Sequence, residues 1–186
     1  QHRRGDHFGA HLHPRAPLRH HRPLQDFVEG DCSVKVLIGA DHGGYELKNE
    51  LIAWFKEKNI SFLDYGTHTS DPVDYPDLAL LVAQGVASAP DEYVGIVIDG
   101  AGCGSAIAAN KVPGVRAAAC YCTFTAKNSR QHNAANVLSL GSKAVGAENA
   151  KEIVAAFLGS EFEGGRHSRR IEKIMAIEHR FNKESP

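Results

Sequence analysis

The sequence predicts an α/β domain built on a doubly wound, mostly parallel sheet of five strands, and three observations point there. From Val34 onward, short apolar runs rich in β-branched residues alternate with segments of helical periodicity. Runs such as "YVGIVID" are continuously apolar, which suits strands covered on both faces. Glycine-rich or polar turns follow the runs, at the strand ends where such sheets bind ligands.

Taken in order, "VKVLIG" reads as the first strand, and Leu47, Leu51 and Phe55, four residues apart, mark an amphipathic helix behind it. Phe62 and Leu63 mark a short second strand, followed by the polar loop "YGTHTSDPVDYPD". Proline at the first turn then opens a helix from about Pro76 to Ser88. "YVGIVID" is the third strand, with a small helix around Ser105 to Asn110 after its glycine loop. "VRAAAC" is the fourth strand, "TFTAKNSRQHN" the next helix and "ANVLSLG" the fifth strand, with closing helices over 147–158 and 168–181. At 186 residues, one domain over 34–182 is expected.

Composition narrows the function classes. The 21 basic and 22 acidic residues nearly cancel, so no nucleic-acid surface is expected and anion binding must be local. No run approaches the 18 apolar residues of a membrane span, and the basic start lacks the apolar core of a secretory signal; a cytoplasmic protein is expected. Cys32, Cys103, Cys120 and Cys122 form neither a disulfide framework nor a metal knuckle, and all are expected as free thiols. Residues 1–33, rich in histidine, arginine and proline, lack apolar periodicity and are expected to form a flexible or docking extension. Their histidine spacings match no specific metal motif.

Two strand ends carry the most chemistry. In "ADHGG", Gly43 and Gly44 allow backbone donors to approach ligand oxygens, while Asp41 and His42 offer proton transfer; a capping role for Asp41 is compatible with this. "DGAGCGS" follows the third strand rather than the first and lacks a Gly-Lys-Ser/Thr triplet, so it fits neither a dinucleotide fingerprint nor a phosphate loop. It reads as an anion-stabilising nest made by the amides of Gly100 to Gly104, with Asp99 and Cys103 as its reactive groups. In "GGRHSRR", Arg166 and Arg170 stand one helical turn apart beside His167, a spacing suited to one phosphate. His132 stands at the end of the polar stretch "NSRQHN".

Together, "GADHGGYELK", "DYP", "GAGCGSAIAANKVPGVRAA", "SRQHNAANVLSLGSK" and "EGGRHSRRIEKI" resemble the type B ribose-5-phosphate isomerase family, which includes the galactose-6-phosphate isomerase subunits, over about residues 34–182. The resemblance implies a Rossmann-like three-layer sandwich that forms a homodimer or a dimer of dimers, with each active site shared between subunits. It implies interconversion of aldose and ketose phosphates, most directly ribose 5-phosphate and ribulose 5-phosphate, without metal or organic cofactor. His132 corresponds to the ring-opening base, helped by Asp41; His42, Arg166, His167 and Arg170 correspond to the phosphate group's surroundings, the arginines coming from across the dimer. Tyr75, Asn133 and Lys143 match residues lining the pocket, beside Gly100, Gly102, Gly104 and Ser105 of the loop. A similar aspartate-led loop in isomerase-like relatives encoded with bacterial microcompartments adds association with such a compartment as a secondary expectation.

The departure lies at the base. Many members carry cysteine where this chain has Asp99, and another branch uses glutamate at the position of Ser105. The expected shuttle is therefore Asp99, with Cys103 as the second candidate; a noncatalytic sugar-phosphate-binding protein, or an isomerase of another tetrose, pentose or hexose phosphate, is the alternative.

Overall fold

The computed structural model describes residues 34–182, and the expectation for the first 33 residues lies outside them. Five strands, β1 (Lys35–Ala40), β2 (Phe62–Asp64), β3 (Tyr93–Asp99), β4 (Ala117–Ala119) and β5 (Val137–Gly141), form one sheet in the order β2-β1-β3-β5-β4. Every pairing is parallel, so the sheet is fully rather than mostly parallel. Six helices connect and close it: α1 (Tyr45–Glu57), α2 (Tyr75–Ser88), α3 (Cys103–Ala109), α4 (Thr123–Asn133), α5 (Ala147–Leu158) and α6 (Arg166–Asn182). The sequence expectation places the last helix two residues late; its first turn already holds Arg166.

Alternation along the strands sorts side chains into two cores. Val36, Ile38, Ile96, Ile98, Leu138 and Leu140 face Leu51, Phe55, Ile153 and Phe157 of α1 and α5. Leu37, Val97 and Val137 face Ala79, Val82 and Val86 of α2 on the opposite side. Gly95 is required in that second layer, because a Cβ there would lie 2.8 Å from Val82 Cγ1 and 2.9 Å from Val137 Cγ2.

Parallel connections give the sheet two unlike ends. Loops after β1, β3 and β5 lie at its carboxyl end. Helices α4 and α5 run back to the amino end, where Asn136 Oδ1 accepts from the Arg116 amide ahead of β4 and Arg130 bridges Ala135 to Ser160. α6 begins at that same amino end.

Candidate active site in two halves

The predicted residues form two groups, each held by its own contacts. At the carboxyl end, three strand ends are stitched together: the Asp41 amide donates to Ile98 O, the Ser142 amide to Asp99 O, and Ser142 Oγ to Gly43 O. Asp41 is buried, and its Oδ1 accepts from the Gly44 amide at 2.9 Å, a turn bond that fixes the carboxylate beside the Gly43–Gly44 backbone. His42 Nδ1 lies 3.2 Å from Val73 O, tying the long loop after β2 to the site. Gly104 lets Tyr75 in: a Cβ at residue 104 would lie 2.7 Å from the Tyr75 ring. Lys143 lies along Gly100 and lines a shallow cleft with Ala101, Cys103 and Tyr121.

Asp99 departs from its expected pose. Its side chain turns back into its own loop, where Oδ1 accepts from the amides of Ala101 and Gly102 and Oδ2 from the amide of Ser105. The left-handed Gly102, φ 82°, aims these amides inward. Burial alone pushes the Asp99 pKa up, but the Ser105 side chain and the three amides outweigh it and leave the group below the usual aspartate value. The resting loop differs from its expected geometry at two points. The nest amides of Ala101 and Gly102 are filled by an internal carboxylate rather than open to an oxyanion. Ser105, 2% exposed, faces Asp99 rather than a ligand.

Cys103 is exposed, with Sγ 3.1 Å from Tyr121 Oη. Tyr121 Oη donates to Ala101 O at 3.0 Å, and across the Cys103 contact either group can be the donor. The Cys103 contact, then burial, push the Tyr121 pKa up to about 12, which keeps the phenol protonated. Sequence reasoning missed Tyr121, which no motif marks. Cys120 and Cys122 are also free thiols, and Cys32 lies outside the described residues.

The second group sits at the amino end. His132, in the last turn of α4, stacks on His167 of α6 with ring centroids 4.1 Å apart and planes 9° apart. Asn128 Nδ2 lies 2.8 Å from His132 Nδ1, and Glu163 Oε2 lies 3.5 Å from His132 Nε2. Arg166 Nε donates to His167 Nε2 at 3.4 Å. Burial first, then the charges of His132, Arg166 and Arg170, hold the His167 pKa below the ordinary histidine value. Asn133 Nδ2 reaches Asn128 at 3.4 Å. Asn128 and Glu163 also escaped the sequence reading; the i,i+4 spacing of Asn128 and His132 was the available signal.

One helix measures the gap between the groups. Tyr121 adjoins the start of α4 and His132 its end, and the 11 residues of α4 span about 15 Å. One chain thus carries an acid-and-glycine half and a histidine-and-arginine half at opposite ends of its sheet.

Comparison with known proteins decides the lineage of this arrangement. The family model described as Ribose/Galactose Isomerase matches residues 36–174. The chain belongs to the Ribose/Galactose Isomerase family. Within this family it is 48% identical over 148 residues to ribose-5-phosphate isomerase B of Escherichia coli, covering 80% of this chain and 99% of that protein. It is 39% identical over 147 residues to D-erythrulose-4-phosphate isomerase of Pectobacterium atrosepticum, covering 78% of this chain and 96% of the relative. The solved ribose-5-phosphate isomerase B of Clostridium thermocellum superposes with a TM-score of 0.77 at 49% identity, covering 80% of this chain and 99% of the other. The α/β, Rossmann-like sandwich expected from the sequence is the fold of these Ribose/Galactose Isomerase relatives.

Proposed function

We propose that the chain is an aldose-ketose isomerase acting on a sugar phosphate, with ribose 5-phosphate and ribulose 5-phosphate as the leading pair, and that each active site is built from two copies of the chain. The observation carrying this reading is the separation of the two halves: the groups suited to proton transfer and those suited to phosphate lie at opposite ends of one sheet, on the fold of isomerase relatives. A homodimer joining one copy's carboxyl end to the other's amino end, or a dimer of dimers repeating that contact, supplies both halves to one substrate.

In this arrangement Arg166 and Arg170 grip the phosphate by charge-assisted hydrogen bonds beside the neutral His167. His132, oriented by Asn128, exchanges the proton that opens the sugar ring, and Asp41 steadies the hydroxyl concerned. Isomerisation then removes a proton alpha to the carbonyl and returns it to the neighbouring carbon through an enediolate. Asp99 stands where many family members have cysteine and takes the shuttle role after swinging off its loop. The amides of Ala101, Gly102 and Ser105 that it leaves then receive the enediolate oxygen, so one anion replaces another in a preorganised nest. Tyr75, His42, Asn133, Lys143 and the backbone of Gly100, Gly102 and Gly104 frame the sugar.

Cys103 is a second candidate for the shuttle because its sulfur is exposed in the cleft, although it is engaged with Tyr121 Oη at 3.1 Å. The deciding experiment follows solvent-deuterium incorporation into a panel of phosphorylated aldoses and ketoses. Exchange by the wild-type chain, lost in Asp99→Asn and kept in Cys103→Ser, supports the assignment. The opposite pattern moves the shuttle to Cys103. Saturable binding without exchange by the wild type would instead support a noncatalytic sugar-phosphate-binding protein.

A further inference from the structure

The amino-end half contains a grouping that ring opening and phosphate binding do not account for. The ligand-capable atoms of His132, Glu163 and His167 all lie within 4.8 Å of one another. Two imidazoles and a carboxylate are a donor set for zinc and related divalent ions, and the remaining coordination position falls to water. We propose that these three side chains form an inhibitory site for a zinc-class ion, which switches the enzyme off by occupying the nitrogen that opens the sugar ring.

The surroundings support a metal that comes and goes. Asn128 Nδ2 lies 2.8 Å from His132 Nδ1 with its Oδ1 toward Asn133; if the amide flips, its oxygen accepts Nδ1–H and Nε2, the nitrogen facing Glu163, is released to ligate, so the ion binds only with that rearrangement. Such an outer hydrogen bond is the usual support of a metal-bound histidine. His167 is 4% exposed, so one ligand is already fixed in place. The Glu163 side chain is 48% exposed and that of His132 34%, which gives an ion entry from solvent. Other features weaken the site relative to a resident metal centre. The stacked rings, 9° from parallel, must tilt for their lone pairs to converge, and Arg166 must release His167 Nε2. The guanidinium charges beside the cluster oppose a second cation, and a bound sugar phosphate claims those same guanidiniums and His132. Metal and substrate therefore compete.

The inhibitory consequence rests on His132 being the ring-opening group; the metal site itself does not. The test uses the full chain stripped of metal with a chelator, as wild type and as Glu163→Gln, a substitution at a half-exposed position in a loop. Equilibrium dialysis against Zn²⁺ is expected to show one more zinc retained per wild-type chain than per variant chain; any zinc on the histidines of residues 1–33 is common to both and cancels. Asn128→Ala, which leaves all three ligands, is expected to weaken that zinc roughly tenfold to a hundredfold. Zinc should slow wild-type proton exchange and require about tenfold more ion to slow Glu163→Gln to the same fraction of its own rate. Superimposable binding curves for wild type and Glu163→Gln overturn the site. Retention of the extra zinc with no slowing of exchange overturns the inhibition. A metal-free wild type that exchanges no sugar-phosphate proton sinks the isomerase reading, while the difference in zinc retention is still measured.

Discussion

Asp99 shows how one side chain can hold a catalytic loop and still be a candidate for catalysis. Its three backbone amides make an anion site, and the carboxylate fills it in the resting chain. An asparagine there puts an NH2 group against at least one inward-pointing amide. Asp99→Asn is therefore expected to lower stability by about 2 kcal/mol in urea unfolding at neutral pH. The same substitution should reduce proton exchange by roughly a hundredfold or more, the range for loss of a positioned base. The acid limb gives a separate check. Because the folded pKa of Asp99 lies below its unfolded value near ~3.9, its contribution is complete above that value and disappears as pH falls through the lower folded one. The Asp99→Asn variant should accordingly show a flatter loss of stability in that acid range. The importance of "DGAGCGS" was legible from its glycines and its place after a strand. The direction of the carboxylate was not, since it depends on where a left-handed Gly102 points amides that carry no side-chain signature.

At the scale of elements, the helix α1 and the strand β2 position the long loop that leads into Tyr75 at the start of α2. Lys48 is fully buried at a position where the helical pattern calls for an apolar residue. Its ammonium binds both carboxylate oxygens of Asp64, at 2.8 and 2.7 Å, and Asp64 in turn accepts from the Gly66 amide at the start of the loop. Removing the ammonium leaves the partly buried carboxylate with only the exposed His68 imidazole, 3.6 Å away, as a basic neighbour. Lys48→Met is expected to cost about 3 kcal/mol in urea unfolding, at the low end for a broken buried pair because Asp64 retains some access to water. The KM for the sugar phosphate should rise as the Tyr75 loop loosens. The strands and helices themselves were readable because their apolar periods match their geometry. The stack of His132 on His167 was not, because the two residues are joined only by the packing of α4 against α6, across the whole of β5 and α5.

At the scale of the whole molecule, the proposed site is cut in two, and an apolar surface is available to join its halves. Ile174, Ile177 and Phe181 form a stripe along α6 and remain exposed, beside a groove that includes Arg116, Asn133 and Ala135. The spacing of i, i+3 and i+7 is that of a helix face made to pack, here with nothing from the described residues over it. If the proposed dimer forms through this face, replacing Ile177 with glutamate is expected to turn it to monomer in sedimentation velocity, with helical circular dichroism unchanged and proton exchange lost; a variant that sediments as the wild type does would contradict that use of the face. Family resemblance implies a shared site, and the topology supports that proposal, since α4 and α5 each carry the chain back across the sheet before His132 and Arg166 are reached.

Subunit complementation tests that division most directly. Asp41→Ala disables the carboxyl-end half and His132→Asn the amino-end half, and each variant alone should be inactive. Unfolded together in equal amounts and refolded, they should recover about a quarter of wild-type proton exchange, because half of the random dimers are mixed and each mixed dimer regains one of its two sites. A mixture that stays as inactive as its parents, while light scattering and mass analysis show that mixed dimers have formed, would contradict a site built from opposite ends of two chains.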